Sequence, residues 1–288
     1  MSIDVLQEKI RKTKNPTILE LALSVDSLPS QYSRDGAGYE QFCMDLLEGL
    51  QGIIPAVRLS FGVFSLLGHD GLYRLSQVLS KAKEFGYYVM LDAPALWSPG
   101  FARQTAELVL GENSLYPCDG ILIGGYLGSD VIKPFLAHCK GKKKDLFVIT
   151  RTANKSAPEL QDLLSGTRLV HAAAAEQISR ISQDPVGKSG YGYIAITAAA
   201  SAADSIRALR TKHAKLFLLV DGYDYPNANA KNCSFAFDKF GHGAIVCSGE
   251  GITAAWIKAE SDGSDHLAHA KAAAEKMKKN LTRYITVL

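Results

Sequence analysis

The residues of this chain that could do chemistry are acids placed where apolar runs give out. Asp26, Asp92, Asp221, Asp224 and Glu250 all fall at or just beyond such runs, with Arg58 and Arg151 as the facing cations. Carboxylates gathered at one point can act as general bases, hold a hard divalent ion through oxygen, or accept a cationic ligand. They can equally pair with the two arginines or face water, and the sequence leaves these readings open. The stretch Tyr87-Tyr-Val-Met-Leu-Asp92-Ala-Pro94-Ala-Leu-Trp97 is the most telling. In a pattern Asp-x-Lys-x-x-Asp, the period of two puts the first Asp and the Lys on one face of a strand, with the last Asp just past its end. Here the first acid is kept as Asp92, whereas Pro94 and Trp97 fill the Lys and second Asp positions.

Other candidates are weaker. Tyr191, Tyr193, Tyr223, Tyr225 and Trp97 could line a pocket or fill a core. Gly187-Lys188-Ser189 lacks the upstream glycine of a phosphate loop and reads as a turn. His266 and His269 share a helix face without a further ligand nearby, as a solvated pair does. The run Lys142-Lys143-Lys144 reads as a solvated turn before a strand.

Eight apolar segments must position these residues. They begin at Thr17, Ala56, Tyr87, Gly120, Leu146, Gly192, Lys215 and Gly243, and most are separated by amphipathic helical patterns, such as Leu72, Leu75, Val78, Leu79 and Ala82 within 70–85. The first segment runs over 17–26 and ends in Asp26. A leading helix over 3–14 and a closing helix over 266–284 flank the series. Eight strands alternating with helices predict an α/β fold, a (β/α)8 TIM barrel, formed as a single domain over 1–288 with its site at the C-terminal strand ends. At 288 residues the chain suits a barrel fold of about 250 residues with additions. With 47% apolar and 21% charged residues it has the balance of a globular chain that buries a sizeable core.

A net charge of +3, with both signs interspersed, leaves no nucleic-acid footprint. No segment is apolar enough over 18 or so residues to span a membrane, and no signal stretch opens the chain. Cys43, Cys118, Cys139, Cys233 and Cys247 are odd in number and lack C-x-x-C spacing, which predicts free thiols in the core and a cytoplasmic location.

From Leu19 to Trp256 the order of motifs resembles the orotidine 5'-monophosphate decarboxylase family in its longer bacterial subgroup. Arg151-Thr-Ala-Asn154-Lys-Ser-Ala-Pro-Glu-Leu-Gln161-Asp-Leu is similar to that subgroup's R-T-S-N-P-x-A-x-x-L-Q-x-L. Gly125-Tyr-Leu-Gly128 is similar to N-P-Y-x-G, and Leu219-Val-Asp221-Gly-Tyr223 to L-V-P-G-Y. Phe237-Asp-Lys-Phe-Gly-His-Gly-Ala-Ile-Val246 follows in the family's order.

The resemblance implies a charge array of Lys, Asp, Lys and Asp, the last reaching in from the other subunit of a dimer, with a Lys protonating the carbon left by CO2. At those positions this chain has Arg58, Asp92, Pro94 and Trp97, so one member of four is unchanged. The family's phosphate-holding G-x-G-A-Q-G loop corresponds to Gly222-Tyr223-Asp224-Tyr-Pro226-Asn227, and its phosphate-gripping Arg to Glu250. Its pyrimidine-contacting Ser corresponds to Ala153, and its ribose-binding Asp to Asp26. The substitutions fall on the catalytic, phosphate and base parts of the site alike.

The expectation is therefore a barrel relieved of decarboxylation, with Arg58 and Asp92 as the remnant array and Asp26, Arg151, Asn154, Tyr223, Asp224 and Glu250 as ligand-side residues. No cofactor or bound metal is expected. The resemblance implies a homodimer, and the missing Lys and Asp lead to the expectation of a binding or regulatory subunit, linked to pyrimidine metabolism and paired with itself or with an active relative. One alternative is changed chemistry, possible with a metal, in which Asp92 is base or ligand, Arg58 a clamp and Glu250 a specificity group. Another is residual decarboxylation, with Lys81, Lys83 or Lys188 reaching the site.

Overall fold

The computed structural model describes residues 2–94, 98–140, 144–182 and 186–287; Trp97, Lys142 and Lys143 lie outside them. Eight parallel strands close into a barrel: β1 (Thr17–Leu21), β2 (Ala56–Ser60), β3 (Tyr88–Asp92), β4 (Gly120–Gly124), β5 (Asp145–Ile149), β8 (Ile194–Ala199), β9 (Phe217–Asp221) and β10 (Ala244–Ser248). Each pairs with the next and β10 returns to β1, so the sheet has no edge. The single-domain TIM barrel expected from the sequence is the fold observed.

Between β5 and β8 the chain forms an element that the periodicity does not announce. Two-residue strands β6 (Leu164–Ser165) and β7 (Arg168–Leu169) form a small antiparallel hairpin outside the barrel. The four-residue helix Pro158–Gln161 ends just before it.

Alternation divides the core in two. Inside the barrel, Ile18, Ala56, Tyr88, Met90, Leu122, Phe147, Phe217, Leu219 and Ile245 pack together. Their strand neighbours, such as Leu19, Val57, Val89, Ile121 and Val246, face outward into the layer shared with the helices. The N-terminal helix Ser2–Thr13 adds Ile3, Leu6 and Ile10 to the interior group. It lies across the N-terminal strand ends, where Asp4 accepts hydrogen bonds from the Ser189 amide and hydroxyl and Lys9 donates to the Gly86 carbonyl. The base is thus plugged, leaving the C-terminal face as the way in.

Candidate functional site

One step of two residues beyond the apolar interior, the strands carry their polar layer. Glu20 follows Ile18, Arg58 follows Ala56, Asp92 follows Met90, Asp221 follows Leu219 and Cys247 follows Ile245. The period of two therefore aims all five inward at the C-terminal mouth, with Glu20 and Arg58 opposite each other in the β1–β2 register.

Arg58 is the centre of this layer and only 7% exposed. Burying a guanidinium without partners would be prohibitive, and it has three. Its Nε and Nη2 donate to Asp92 Oδ2 at 3.0 and 2.7 Å, and Nη1 donates to Asp221 Oδ2 at 3.1 Å. Glu20 Oε1 lies 3.3 Å from Nη2, and Cys247 Sγ 3.6 Å from Nη1. Burial works against its charge, but Asp221, Asp92 and Glu20 together hold the guanidinium well above its ordinary pKa. Glu20 moves the other way. Burial, offset in part by Arg58 and reinforced by Asp221, Asp92 and Asp224, pushes it up to about 7.

Above this floor opens a cavity of about 390 Å³. Ala153 and Asn154 come to it from the loop after β5, Asp224 and Tyr225 from the loop after β9, and Glu250 from the end of β10. Asp224 is fixed: its carboxylate accepts from Ser248 Oγ at 2.8 Å and from the Gly249 amide at 2.7 Å. Gly251 has to be glycine for this, since a Cβ there would sit 2.0 Å from Asp224 Oδ1. Glu250 is exposed at the rim.

Of the residues expected at the site, Arg58, Asn154, Asp224 and Glu250 line the cavity. Asp92 lies beneath it, against Arg58. Three are placed elsewhere. Asp26 is exposed on the 3-10 turn Val25–Ser27, because β1 ends at Leu21; Ala22 and Leu23 take the adjacent cavity wall. Arg151 turns away from the mouth acids to Gln161 Oε1 (3.2 Å), Asp162 Oδ2 (3.0 Å) and the Thr152 carbonyl (2.9 Å). With Gln161 Oε1 also accepting from the Thr152 amide at 2.8 Å, the Arg151–Gln161 motif is a clamp that shapes the loop presenting Ala153 and Asn154. Tyr223 lines a neighbouring cleft against the C-terminal helix His266–Thr282.

The remaining candidates disperse. Tyr191 packs at the barrel base and donates to Asp238 at 2.9 Å, and Tyr193 belongs to the outer core. His266 is buried against Tyr32 (3.0 Å), whereas His269 pairs with Asp265 (3.1 Å), so the two do not converge. Lys81 pairs with Glu84 at 2.9 Å, Lys83 with Asp119, and Lys188 sits in the turn held by Asp4 at the base. None of the three reaches the cavity. Lys258, from the short helix Ala255–Lys258, does.

Three residues of the floor and wall were not singled out as site residues in the sequence: Glu20, Cys247 and Lys258. Only Glu20 carried a signal, an acid two residues from Ile18 inside an apolar strand. Glu20, Asp221 and Cys247 offer atoms within 4.8 Å of one another, a spacing that could surround an ion. The Arg58 guanidinium already reaches all three, however, and is the cation they hold. All five cysteines are buried and free. Among the described residues no helix is long and apolar enough to cross a membrane.

The likeness to known proteins is extensive. The chain is 27% identical to the orotidine 5'-phosphate decarboxylase of Rhodopirellula baltica over 268 residues, covering 88% of this chain and 89% of that one. It is 24% identical to the enzyme of that name from Clostridium novyi over 288 residues, covering 98% of each. Its homologues are orotidine 5'-phosphate decarboxylases. The fold agrees: the structure of Leishmania donovani OMP decarboxylase superposes with a TM-score of 0.77 at 21% identity, covering 98% of both chains. No family model matches the chain. The match to the decarboxylases thus spans the barrel nearly end to end, while the polar layer at its mouth is the one described above.

Proposed function

We propose that this chain is an orotidine 5'-phosphate decarboxylase-like barrel that no longer decarboxylates and acts as a binding or regulatory subunit. The observation that carries this reading is the cation on the cavity floor, a guanidinium committed to three carboxylates. Decarboxylation leaves a carbanion that must be protonated, and a guanidinium, with a pKa above about 12, is a poor donor. The phosphate end supports the same reading. Asp224 puts its own carboxylate on the Gly249 amide, in the segments that the resemblance matches to phosphate binding, and Glu250 stands at the rim. A carboxylate about 4 Å from one phosphate charge costs roughly 4 kcal/mol at an effective dielectric near 20. A subunit role needs a partner surface, and Leu160, Leu163 and Leu164 after β5 are each more than half exposed, the kind of apolar surface a homodimer or an active relative would cover.

A second reading is favoured by Lys258, an ammonium on the cavity wall, and by the activity for which the homologues are named. In it the chain decarboxylates orotidine 5'-monophosphate with Lys258 as proton donor. Calorimetry with uridine 5'-monophosphate at low salt separates the two. No heat at millimolar ligand is expected. One-to-one binding, with turnover of orotidine 5'-monophosphate that is lost in Lys258→Ala, would overturn the first reading in favour of the second.

A further inference from the structure

We propose that Glu20 is a proton-exchange site on the cavity floor, able to pass a proton to a weakly basic group in the cavity. The inference goes beyond the function proposed above and holds whether or not the chain decarboxylates. It begins with how one guanidinium is shared among three carboxylates. Asp92 takes two of its N–H groups. Asp221 takes a third, and its other oxygen accepts from the Gly222 amide at 3.0 Å. Among the described residues Glu20 receives no hydrogen bond; it lies only at ion-pair distance, 3.3 Å from Nη2. With an Asp221 oxygen inside 4.8 Å, Glu20 is the carboxylate whose charge is least compensated. Where like charges crowd, that is the group that keeps its proton.

The carboxylates around Glu20 all act in one direction, and Arg58 opposes them. Its charge is felt with that of Asp92 from β3, Asp221 from β9 and Asp224 from the following loop, and by Tyr225, Cys247 from β10 and Tyr39 from the helix Gly36–Gly49; among the described residues Arg58 from β2 is the cation at ion-pair distance. Burial acts in the same direction, and the group is pushed up to about 7. Its side chain is still 23% exposed, against 10% for Asp92, so its proton can leave through the cavity.

The step balances simply. The Glu20 O–H bond breaks, the proton goes to a lone pair on the ligand, and the new carboxylate strengthens its ion pair with Arg58. The counted charge of Arg58, Asp92, Asp221 and Glu20 changes from −1 to −2, so the ligand class that gains is a weak base that becomes a cation in an acidic cavity.

The test is a carbon-13 NMR pH titration of the full chain with carboxyl-labelled glutamate, Glu20 being assigned as the resonance missing in Glu20→Gln. A midpoint between pH 6 and 8 is expected, falling by about one unit or more in Asp221→Asn, which keeps Glu20 and removes the neighbouring charge. A midpoint below pH 5.5, or one indifferent to Asp221→Asn, would overturn the proposal. Should Glu20→Gln not fold, Glu20→Asp, which keeps the carboxylate but loses the labelled glutamate resonance, supplies the assignment.

Discussion

Replacing Arg58 by methionine tests whether the polar layer is one electrostatic unit. Methionine keeps much of the side chain's length and apolar stem but strands Asp92, which is 8% exposed, together with Asp221 and Glu20. Breaking a buried pair by removing one partner costs about 3–5 kcal/mol, because the other charge remains uncompensated. Against a total of roughly 5–15 kcal/mol for a domain, that is a large fraction of the stability.

The penalty should depend on pH, and its sign follows from linkage. In the variant the stranded carboxylates have raised folded pKa values, so the folded chain binds protons that the unfolded chain has already lost above about pH 4. Its stability therefore falls relative to wild type as pH rises toward 7, and the gap closes on acidification. Urea denaturation followed by circular dichroism at pH 5 and pH 8 measures this. Arg58→Lys should recover only part of the loss, since a compact ammonium cannot meet three carboxylates in the fork geometry. Adding Asp92→Asn and Asp221→Asn to Arg58→Met should recover most of it. A loss under about 1 kcal/mol at pH 8, or one of equal size at both pH values, would refute the cluster as a unit.

Two further substitutions probe the frame around the site. Asp145 at the barrel base is fully buried, and burial, only partly offset by the hydrogen bond from the Tyr88 hydroxyl (2.7 Å), pushes it up to about 8. The folded chain then keeps a proton that the unfolded chain loses from about pH 4 upward, so wild-type stability falls as pH rises toward 8; Asp145→Asn should gain about 3–5 kcal/mol on wild type between pH 5 and pH 9 in urea titrations, and a flat difference would contradict this. Gly222 has φ +75°, and a Cβ there would lie 2.2 Å from Ala153 Cβ. Gly222→Ala should lose about 2–5 kcal/mol of unfolding free energy in the same titrations, with Ala153→Gly restoring the packing share but not the roughly 1–2 kcal/mol of left-handed backbone.

How much of this was readable beforehand depends on what each residue's position is tied to. The barrel was, because alternation such as Ile18, Glu20 or Met90, Asp92 recurs through strands whose outward neighbours are also apolar, and eight such strands have few ways to close. The hairpin Leu164–Leu169 was not, because two-residue strands carry no period. Arg58 and Asp92 could be placed at the mouth because each lies within or at the end of a strand wherever its boundary is drawn.

Asp26 could not, and the reason is general. A strand read as reaching residue 26 stops at Leu21, and the four residues 22–25 carry the chain from its end to the exposed Asp26. The same error hid Glu20, whose inward direction was set by Ile18, not by the strand's end. Motif likeness has a matching limit: it located the loop after β5 through Arg151 and Gln161, but not which side chains leave it. Those two turn inward to hold the loop, and Asn154 faces the cavity. Lys258 shows the remaining gap, since a four-residue helix has too little periodicity to announce which way a lysine points. The mouth of this barrel is therefore defined less by the strand-end acids that draw attention in the sequence than by an acid one strand position earlier and a lysine one short helix later. Those two groups, the least compensated carboxylate on the floor and the ammonium on the wall, are the ones that Asp221→Asn and Lys258→Ala interrogate.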